Sequence, residues 1–170
     1  RSCNEIATKT NEIFEANYDF TKAKSAYIWK TIVDPFLGKY SLIKVCSGVI
    51  KSDDVLYNVD KQSDEKLNKL YVLEGSKPLE VPELHAGDIG AIAKLNDAKT
   101  GDSLATKAQP ISYPKALIST PYTYKRYKAK TKGDEDKIAQ GLAKIMSEDL
   151  TVRTVNDSAN HQTLLYGMGD

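Results

Sequence analysis

The sequence predicts a mainly β chain, in which a β-barrel of about six short strands is followed by a truncated α+β domain. Three observations predict this arrangement. Short runs of β-branched and aromatic residues recur at regular spacing between residues 25 and 95, which is typical of small closed barrels. A stretch with three prolines, residues 105–121, follows them and is typical of an interdomain connector. The clearest helical periodicity lies beyond it, at residues 135–150.

The composition is that of a globular protein, because 41% of the residues are hydrophobic and 28% are charged, which suffices for a core. The formal net charge is only +1, so the surface as a whole predicts no attraction to nucleic acid or to a membrane. No apolar run approaches the ~18–20 residues of a spanning helix, and no signal peptide is evident. Two cysteines favour neither a disulfide framework nor a zinc site, and a cytoplasmic setting is expected. Cys46 lies in an apolar run and is expected to be buried.

The first strands of the barrel follow a leader. Residues 1–22 carry little periodicity and indicate a leader or linker, with room for one short strand around Ile13–Phe14. The segments AYIWKTIVDPF and YSLIKVCSGVI then predict two strands, joined by a loop that an Asp-Pro pair and a glycine mark. Ser47-Gly48 indicates a bulge or bend at the end of the second strand.

The later strands of the barrel are shorter. KSDDVLYNV predicts a strand after a Ser-Asp-Asp turn. EKLNKLYVLEG leaves two interpretations open: Leu67, Leu70 and Leu73 fit a helical repeat, whereas the Tyr-Val pair and Gly75 favour a strand, which we prefer. Ile89–Leu95 predicts a strand between two Gly-Asp turns.

The second domain is predicted to run strand, helix, strand, strand. YTYKRYKAK is an extended basic and aromatic stretch, and the helix follows with Asp134 as its N-cap. Two strands around Asn156-Asp157-Ser158 complete the pattern. One helix leaves most of one sheet face bare, so a second helix and a fourth strand are expected beyond Asp170. The apolar face of the helix is predicted to consist of Ile138, Leu142, Ile145 and Met146.

Motifs for catalysis are absent from the sequence. It has no G-x-x-x-x-G-K-[ST] loop and no G-x-G-x-x-G after a strand. His85 and His161 have no companions at metal-ligand spacing. The acid pairs Asp53-Asp54 and Glu135-Asp136 fit a turn and a helix start. We therefore expect no catalytic residue, no nucleotide-binding residue and no metal site in this chain.

One stretch is a candidate binding site, because cations and tyrosines are interleaved in it. Such a stretch suits RNA, whose phosphates attract cations and whose bases stack on tyrosine. A strand with one solvated charged face and one tyrosine-bearing core face is the alternative. The residues concerned are Lys125, Arg126, Lys128, Lys130 and Lys132, with Tyr122, Tyr124 and Tyr127 among them.

Three segments together resemble the translational GTPase elongation factor G. They are KTIVDPFLGKYSLIKVCSGVIKSDDVLYN, HAGDIGAIAKLNDAKTGDSL and KTKGDEDKIAQGLAKIMSEDLTVRT with HQTLLYGMGD. Their joint order and spacing make the resemblance specific, and it covers nearly the whole chain from Ser25. Tetracycline ribosomal-protection proteins and the type 3 peptide release factor share the architecture and are held as relatives.

The resemblance implies four parts. Residues 1–22 would be a linker or the tail of a GTPase domain, and residues 23–108 the translation-factor β-barrel, the family's second domain. Residues 109–121 would connect it to residues 122–170, a partial ferredoxin-like third domain. The nucleotide site, with GTP and Mg²⁺, would lie in the GTPase domain outside this chain.

By the same resemblance, the barrel and third domain couple the GTP state to ribosome binding and translocation. The implied partners are ribosomal RNA and protein and the GTPase domain of the same chain, without a membrane. The bare sheet face also predicts dimerisation through residues 122–170, or weak order there. The implied ribosome contacts are Lys125, Arg126, Lys128 and Lys130, and the implied contacts with the GTPase domain are Gln162 and Thr163. A free-standing RNA-binding or protein-interaction module stays open as the alternative.

Some residues depart from the family pattern. Tyr166 stands where the family usually has serine before Gly-Met-Gly, and Ala159-Asn160 replace an acid and a threonine. These differences favour a divergent paralogue of the G-like branch.

Overall fold

The computed structural model describes residues 7–8, 14–34, 38–75 and 77–169, which belong to two compact units, residues 1–116 and 117–170. In the first unit the described strands are β1 (Ala7–Thr8), β2 (Ser25–Asp34), β3 (Gly38–Ser47), β4 (Val49–Lys51), β5 (Val55–Asn58), β6 (Ser63–Lys66), β7 (Leu70–Glu74), β8 (Lys77–Val81), β9 (Glu83–His85), β10 (Ile89–Ala93), β11 (Ser103–Ala105) and β12 (Ile111–Ser112).

Eight of these strands form one antiparallel sheet in the order β6-β5-β11-β2-β3-β10-β7-β8. Its centre is the β2–β3 hairpin, two ten-residue strands rich in β-branched residues, as strand propensity favours. The pairing shifts register at two points along this hairpin, near Ser25 and between Ile28 and Lys30. Such irregularities bend a strand and increase its twist, so the sheet can wrap around a core.

The core of the first unit collects side chains from most strands of this sheet and from the separate β4–β9 pair. One cluster joins residues of β2, β3, β4, β5, β7, β9, β10 and β11, so the strands surround a common interior as in a barrel. Ile28, Ile43 and Leu104 are each fully buried there. Cys46 is also buried, as predicted, in a neighbouring cluster.

Two polar groups organise the loops at the barrel's edge. Glu65 on β6 is 1% exposed, and its carboxylate accepts backbone N–H bonds from Asn96, Asp97 and Ala98 at 2.8–2.9 Å. Asp102 accepts a bond from Asn58 Nδ2 at 3.0 Å. The second of the two predicted Gly-Asp turns therefore places its carboxylate toward the interior.

The prediction of a mainly β first unit is confirmed, but six strands were too few. The preferred strand interpretation of 65–75 is correct for β7, and β10 ends at Ala93 because Lys94 adopts a positive φ of 57°. Strands β1, β6, β8, β9, β11 and β12 were missed. Of the predicted strand at Ile13–Phe14, Ile13 lies outside the described residues and Phe14 is not in a strand.

The second unit has β13 (Thr123–Tyr127), α1 (Glu135–Glu148), β14 (Arg153–Asp157) and β15 (Gln162–Gly167). Its sheet is antiparallel in the order β13-β15-β14, which is the split arrangement predicted for strand, helix, strand, strand. The turn between β14 and β15 lies at residues 158–161, slightly later than the predicted Asn156-Asp157-Ser158.

The helix begins differently from the prediction. Asp134 is the N-cap residue but makes no side-chain capping bond, because its backbone is helical, with φ −88° and ψ −1°. Its carboxylate accepts a bond from Lys137 Nζ at 2.9 Å instead, while Glu135 accepts one from the Gly133 N–H at 2.7 Å. No α1 residue is buried, and Ile145 of the predicted apolar face is 47% exposed.

Candidate functional site

The predicted basic stretch lies on β13 and the segment after it. Lys125, Arg126, Lys128 and Lys130 are all exposed. Because side chains alternate between faces along a strand, Lys125 shares a face with Tyr127, and Arg126 shares the other with Tyr124. The alternative of one charged face and one tyrosine face is therefore wrong, since each face of β13 carries one cation and one tyrosine.

The helix identifies which face is which. Met146 of α1 accepts a bond from Thr154 Oγ1 at 3.7 Å, so α1 lies on the face of Thr154. Thr154 lies opposite Leu165, which in turn lies opposite Lys125, and directly opposite residues of antiparallel strands share a face. Lys125 therefore lies on the helix side of the sheet, and we call the other side the outer face.

The outer face is arranged in rows that cross all three strands. In the first row Tyr166 on the central strand lies opposite Tyr124 on one side and Arg153 on the other. In the second row, Arg126, Leu164 and Val155 lie opposite one another. The outer face thus carries two tyrosines and two arginines around an aliphatic pair.

The two tyrosines of the first row contact each other. Their ring centroids are 5.3 Å apart, with the ring planes inclined at 36°. Tyr124 is 59% exposed, while Leu164 in the adjacent row of the same face is 7% exposed. An exposed ring held by a neighbouring ring can accept a flat partner by stacking.

The other predicted contact residues, Gln162 and Thr163, are consecutive on β15 and so point to opposite faces. Gln162 Nε2 donates to Asp157 Oδ2 at 3.3 Å, and Asn160 donates to the same carboxylate through its side chain at 2.8 Å. Both bonds lower the pKa of Asp157 from its ordinary value of 3.8, and the bond from Asn160 has the larger effect. Gln162 therefore helps fix the β14–β15 turn.

The histidines and acid pairs are spread over turns and strand ends. His85 Nε2 lies 2.9 Å from Glu83, and His161 adopts a φ of 50° in the β14–β15 turn. Asp54 pairs with Lys24 at 2.6 Å. Within the described ranges, no three His, Cys, Asp or Glu side chains group so as to hold a metal ion, and no helix combines the length and apolarity that a membrane span requires.

Sequence reasoning missed Arg153 and the pairing of Tyr166 with Tyr124. The alternation of β13 and β15 was visible in the sequence, but α1 and β14 separate these two strands along the chain, so no local turn sets the register that aligns the two tyrosines. The turn at 158–161 joins β14 and β15 and sets only the pairing that places Arg153 opposite Tyr166.

Comparison with models of known protein families shows the family to which the chain belongs. The model for Elongation factor G domain 2 matches residues 23–107, half of the chain. The model for Elongation Factor G, domain III matches residues 118–170. The chain belongs to the elongation factor G family. Its first unit has the domain 2 fold and its second unit the domain III fold, as the sequence resemblance implied.

One curated protein is similar to the chain in sequence, and one solved structure is similar to it in fold. Elongation factor G of Ruegeria pomeroyi is 34% identical over 152 residues, which cover 89% of this chain and 22% of the relative. A crystal structure of a Thermus thermophilus protein superimposes with a TM-score of 0.77 at 24% identity, over 93% of this chain and 24% of that one. The chain thus spans about a quarter of the length of each.

Proposed function

We propose that these 170 residues are the domain 2 and domain III portion of a cytoplasmic translational GTPase. In this proposal they couple the GTP state of a GTPase domain to ribosome binding and translocation. The supporting observation is the match to two elongation factor G domains in consecutive order, at residues 23–107 and 118–170. GTP and Mg²⁺ would bind to the GTPase domain, outside these residues.

The proposal assigns no catalysis to this chain, which also has no phosphate-binding loop motif. Isothermal titration of the 170-residue chain with GTP and Mg²⁺ tests this point, and we expect no heat of binding. Micromolar affinity for GTP, or its hydrolysis, would contradict the proposal. Reading the gene upstream of Arg1 adds a second test: we expect a Gly-Lys-Ser/Thr loop, whereas a start codon there would favour the free-standing module.

Ribosome contact is assigned to Lys125, Arg126, Lys128 and Lys130. All four are exposed, and a cluster of cations on one strand and its extension suits phosphate oxygens of ribosomal RNA. Lys128 and Lys130 lie beyond the end of β13, so substituting them does not disturb the sheet pairing.

A charge-reversal pair tests this contact. We expect K128E/K130E to reduce co-sedimentation of the chain with ribosomes roughly tenfold, because both cations become anions that the RNA phosphates repel. K137E/K144E is the matched control, since both lysines are exposed on α1 in the same unit. Equal losses for the two variants would show that net charge, not this segment, controls binding.

Contact with the GTPase domain is assigned to Gln162 and Thr163. Both are half-buried on the central strand, and Gln162 is oriented by its bond to Asp157. A substitution such as Thr163→Ala should therefore change how GTP hydrolysis responds to ribosomes in the complete protein without unfolding this unit.

Self-association is also part of the proposal for the chain as a separate polypeptide. Among the described residues of the second unit, Leu164 alone is buried, so much apolar surface stays exposed and favours association. Sedimentation equilibrium should show a dimer. A strict monomer with protected amides across residues 151–170 would contradict this expectation.

A further inference from the structure

We propose that the outer face of the second unit is a stacking platform for single-stranded RNA. Its centre is the Tyr124–Tyr166 ring pair, with Arg153 next to Tyr166 in the same row and Arg126 in the adjacent row. This inference goes beyond the proposed function, because it requires unpaired bases as the ligand and depends on neither a GTPase domain nor a ribosome.

The position of the tyrosines favours bases as the ligand. They lie on adjacent strands, β13 and β15, on the sheet face opposite α1. In the RRM, a four-stranded RNA-binding sheet, aromatics on the sheet surface stack two or three bases, and this three-stranded sheet likewise carries its aromatic pair on its surface. Strands are ~4.8 Å apart, and the ring centroids, separated by 5.3 Å, match that spacing, so adjacent rings can receive consecutive bases.

The charges around the rings favour a nucleic acid over an apolar peptide. Arg126 and Arg153 are exposed at diagonal corners of the two rows, where each can reach a phosphate while the bases lie on the rings. The one carboxylate on this face among the described residues, Asp157, lies at the far end of β14. It is bound to Asn160 and Gln162, so it faces the turn.

The platform is held in place before any ligand arrives. Tyr166 is on the central strand, which pairs on both sides, and it contacts Tyr124 directly. Leu164, the central residue of the second row, is only 7% exposed. Little side-chain freedom is therefore lost when a base stacks.

Fluorescence anisotropy with a labelled, mixed-sequence, single-stranded octaribonucleotide tests the proposal on the 170-residue chain. We expect Tyr124→Ala to weaken binding roughly tenfold, since loss of one stacking partner has about this effect, and Tyr124→Phe to retain it. Tyr122→Ala is the matched control, because Tyr122 is 75% exposed but precedes β13, and it should change affinity less than twofold.

Two further measurements separate stacking from charge. Ring signals of Tyr124 and Tyr166 in NMR spectra of the unsubstituted chain should shift upfield on adding the oligonucleotide. An RNA duplex of equal length should compete poorly, and R126A/R153A should reduce the salt dependence of binding. Absence of binding, equal competition by the duplex, unshifted rings, or a Tyr124-dependent dimer that binds no RNA would each overturn the proposal. Ribosome co-sedimentation tests the proposed function and not this platform, so the two proposals can fail independently.

Discussion

At the scale of single residues, the barrel depends on polar groups that the apolar pattern does not reveal. Glu65 lies in the polar segment SDEK, yet it is buried and binds three consecutive backbone N–H groups of the loop after β10. Those N–H groups have no strand partner, so the carboxylate satisfies donors that would otherwise lack one. Tyr40 is the opposite case, since among the described residues no partner lies near its buried hydroxyl.

Replacing Glu65 should destabilise the first unit. Glu65→Ala leaves three backbone donors of residues 96–98 without their acceptor, and we expect a loss of roughly 2–3 kcal/mol in the free energy of unfolding. Asp64→Ala is the matched control, because the side-chain contact of Asp64 within the described residues is an exposed ion pair with Lys107 at 3.2 Å, of the kind that contributes little. Urea denaturation followed by circular dichroism measures both. Similar losses for the two variants would contradict the role of Glu65.

Tyr40 should limit the stability of the barrel at high pH. Burial, followed by the charge of Asp34 and the neighbouring Tyr71, raises the pKa of Tyr40 above its ordinary value of 10.0. A group with a raised folded-state pKa contributes stability that is complete below the unfolded pKa and is lost as pH rises through the folded one.

Tyr40→Phe removes both this titration and the hydroxyl without a partner. We expect it to be equal to or more stable than the unsubstituted protein at pH 7, by about 1 kcal/mol, and to lose less stability between pH 9 and pH 11. Tyr71→Phe, in the other ring of the pair at 6.0 Å, removes only the last of these causes and leaves the burial of Tyr40, so it should keep most of the alkaline loss. Equal alkaline losses for Tyr40→Phe and the unsubstituted protein would show that Tyr40 is not the group responsible.

At the scale of elements, long segments with β-branched residues were predictable, and short polar ones were not. Strands β2 and β3 and helix α1 carry their own periodicity, and each was predicted within a few residues. Strand β8 (KPLEV) has a proline, and β12 is only two residues long. Such segments become strands because a neighbour supplies hydrogen bonds, which a single sequence does not show.

The same distinction applies to the candidate site. The sequence identified the cations of β13 and one of the two paired tyrosines, because these residues are consecutive. The partnership with Tyr166 and Arg153 requires the register of β13, β15 and β14. The predicted N-cap bond of Asp134 does not form, and the reason is local: the backbone of Asp134 is helical, and its carboxylate accepts a bond from Lys137 instead.

The bend between β3 and β4 should depend on glycine. Gly48 has a φ of +72°, and a Cβ there would meet the Lys24 Cα at 2.7 Å and the Lys22 carbonyl oxygen at 2.9 Å. We expect Gly48→Ala to cost roughly 3 kcal/mol, from backbone strain and the collision together. Gly87→Ala isolates the strain, because Gly87 has a φ of +101° with open space around it, and about 1–2 kcal/mol is expected. Equal losses of melting temperature for the two variants would contradict a contribution from the collision at Gly48.

At the scale of the whole molecule, the two units differ in how much they bury. The first unit surrounds an extensive core, whereas α1 contributes no buried residue and the described part of the second unit buries only Leu164. Stability is therefore expected to be uneven along the chain. A unit with so little interior is expected to contribute little stability of its own.

This difference should appear in hydrogen exchange. We expect the amides of β13, β14 and β15 to exchange at least roughly tenfold faster than those of β2 and β3, because fewer buried contacts oppose their opening. Mass spectrometry of peptides from the intact chain measures both regions together, with β3 as the internal reference. Equal protection in a monomer would contradict the assignment of low stability to the second unit.

GTP hydrolysis by the protein that the complete gene encodes, measured with and without ribosomes, tests whether these residues belong to a translational GTPase. The proposal predicts that ribosomes stimulate this hydrolysis. It also predicts that K128E/K130E reduces the stimulation, whereas K137E/K144E does not. A complete product that hydrolyses no GTP, or whose hydrolysis ribosomes leave unchanged, would contradict it.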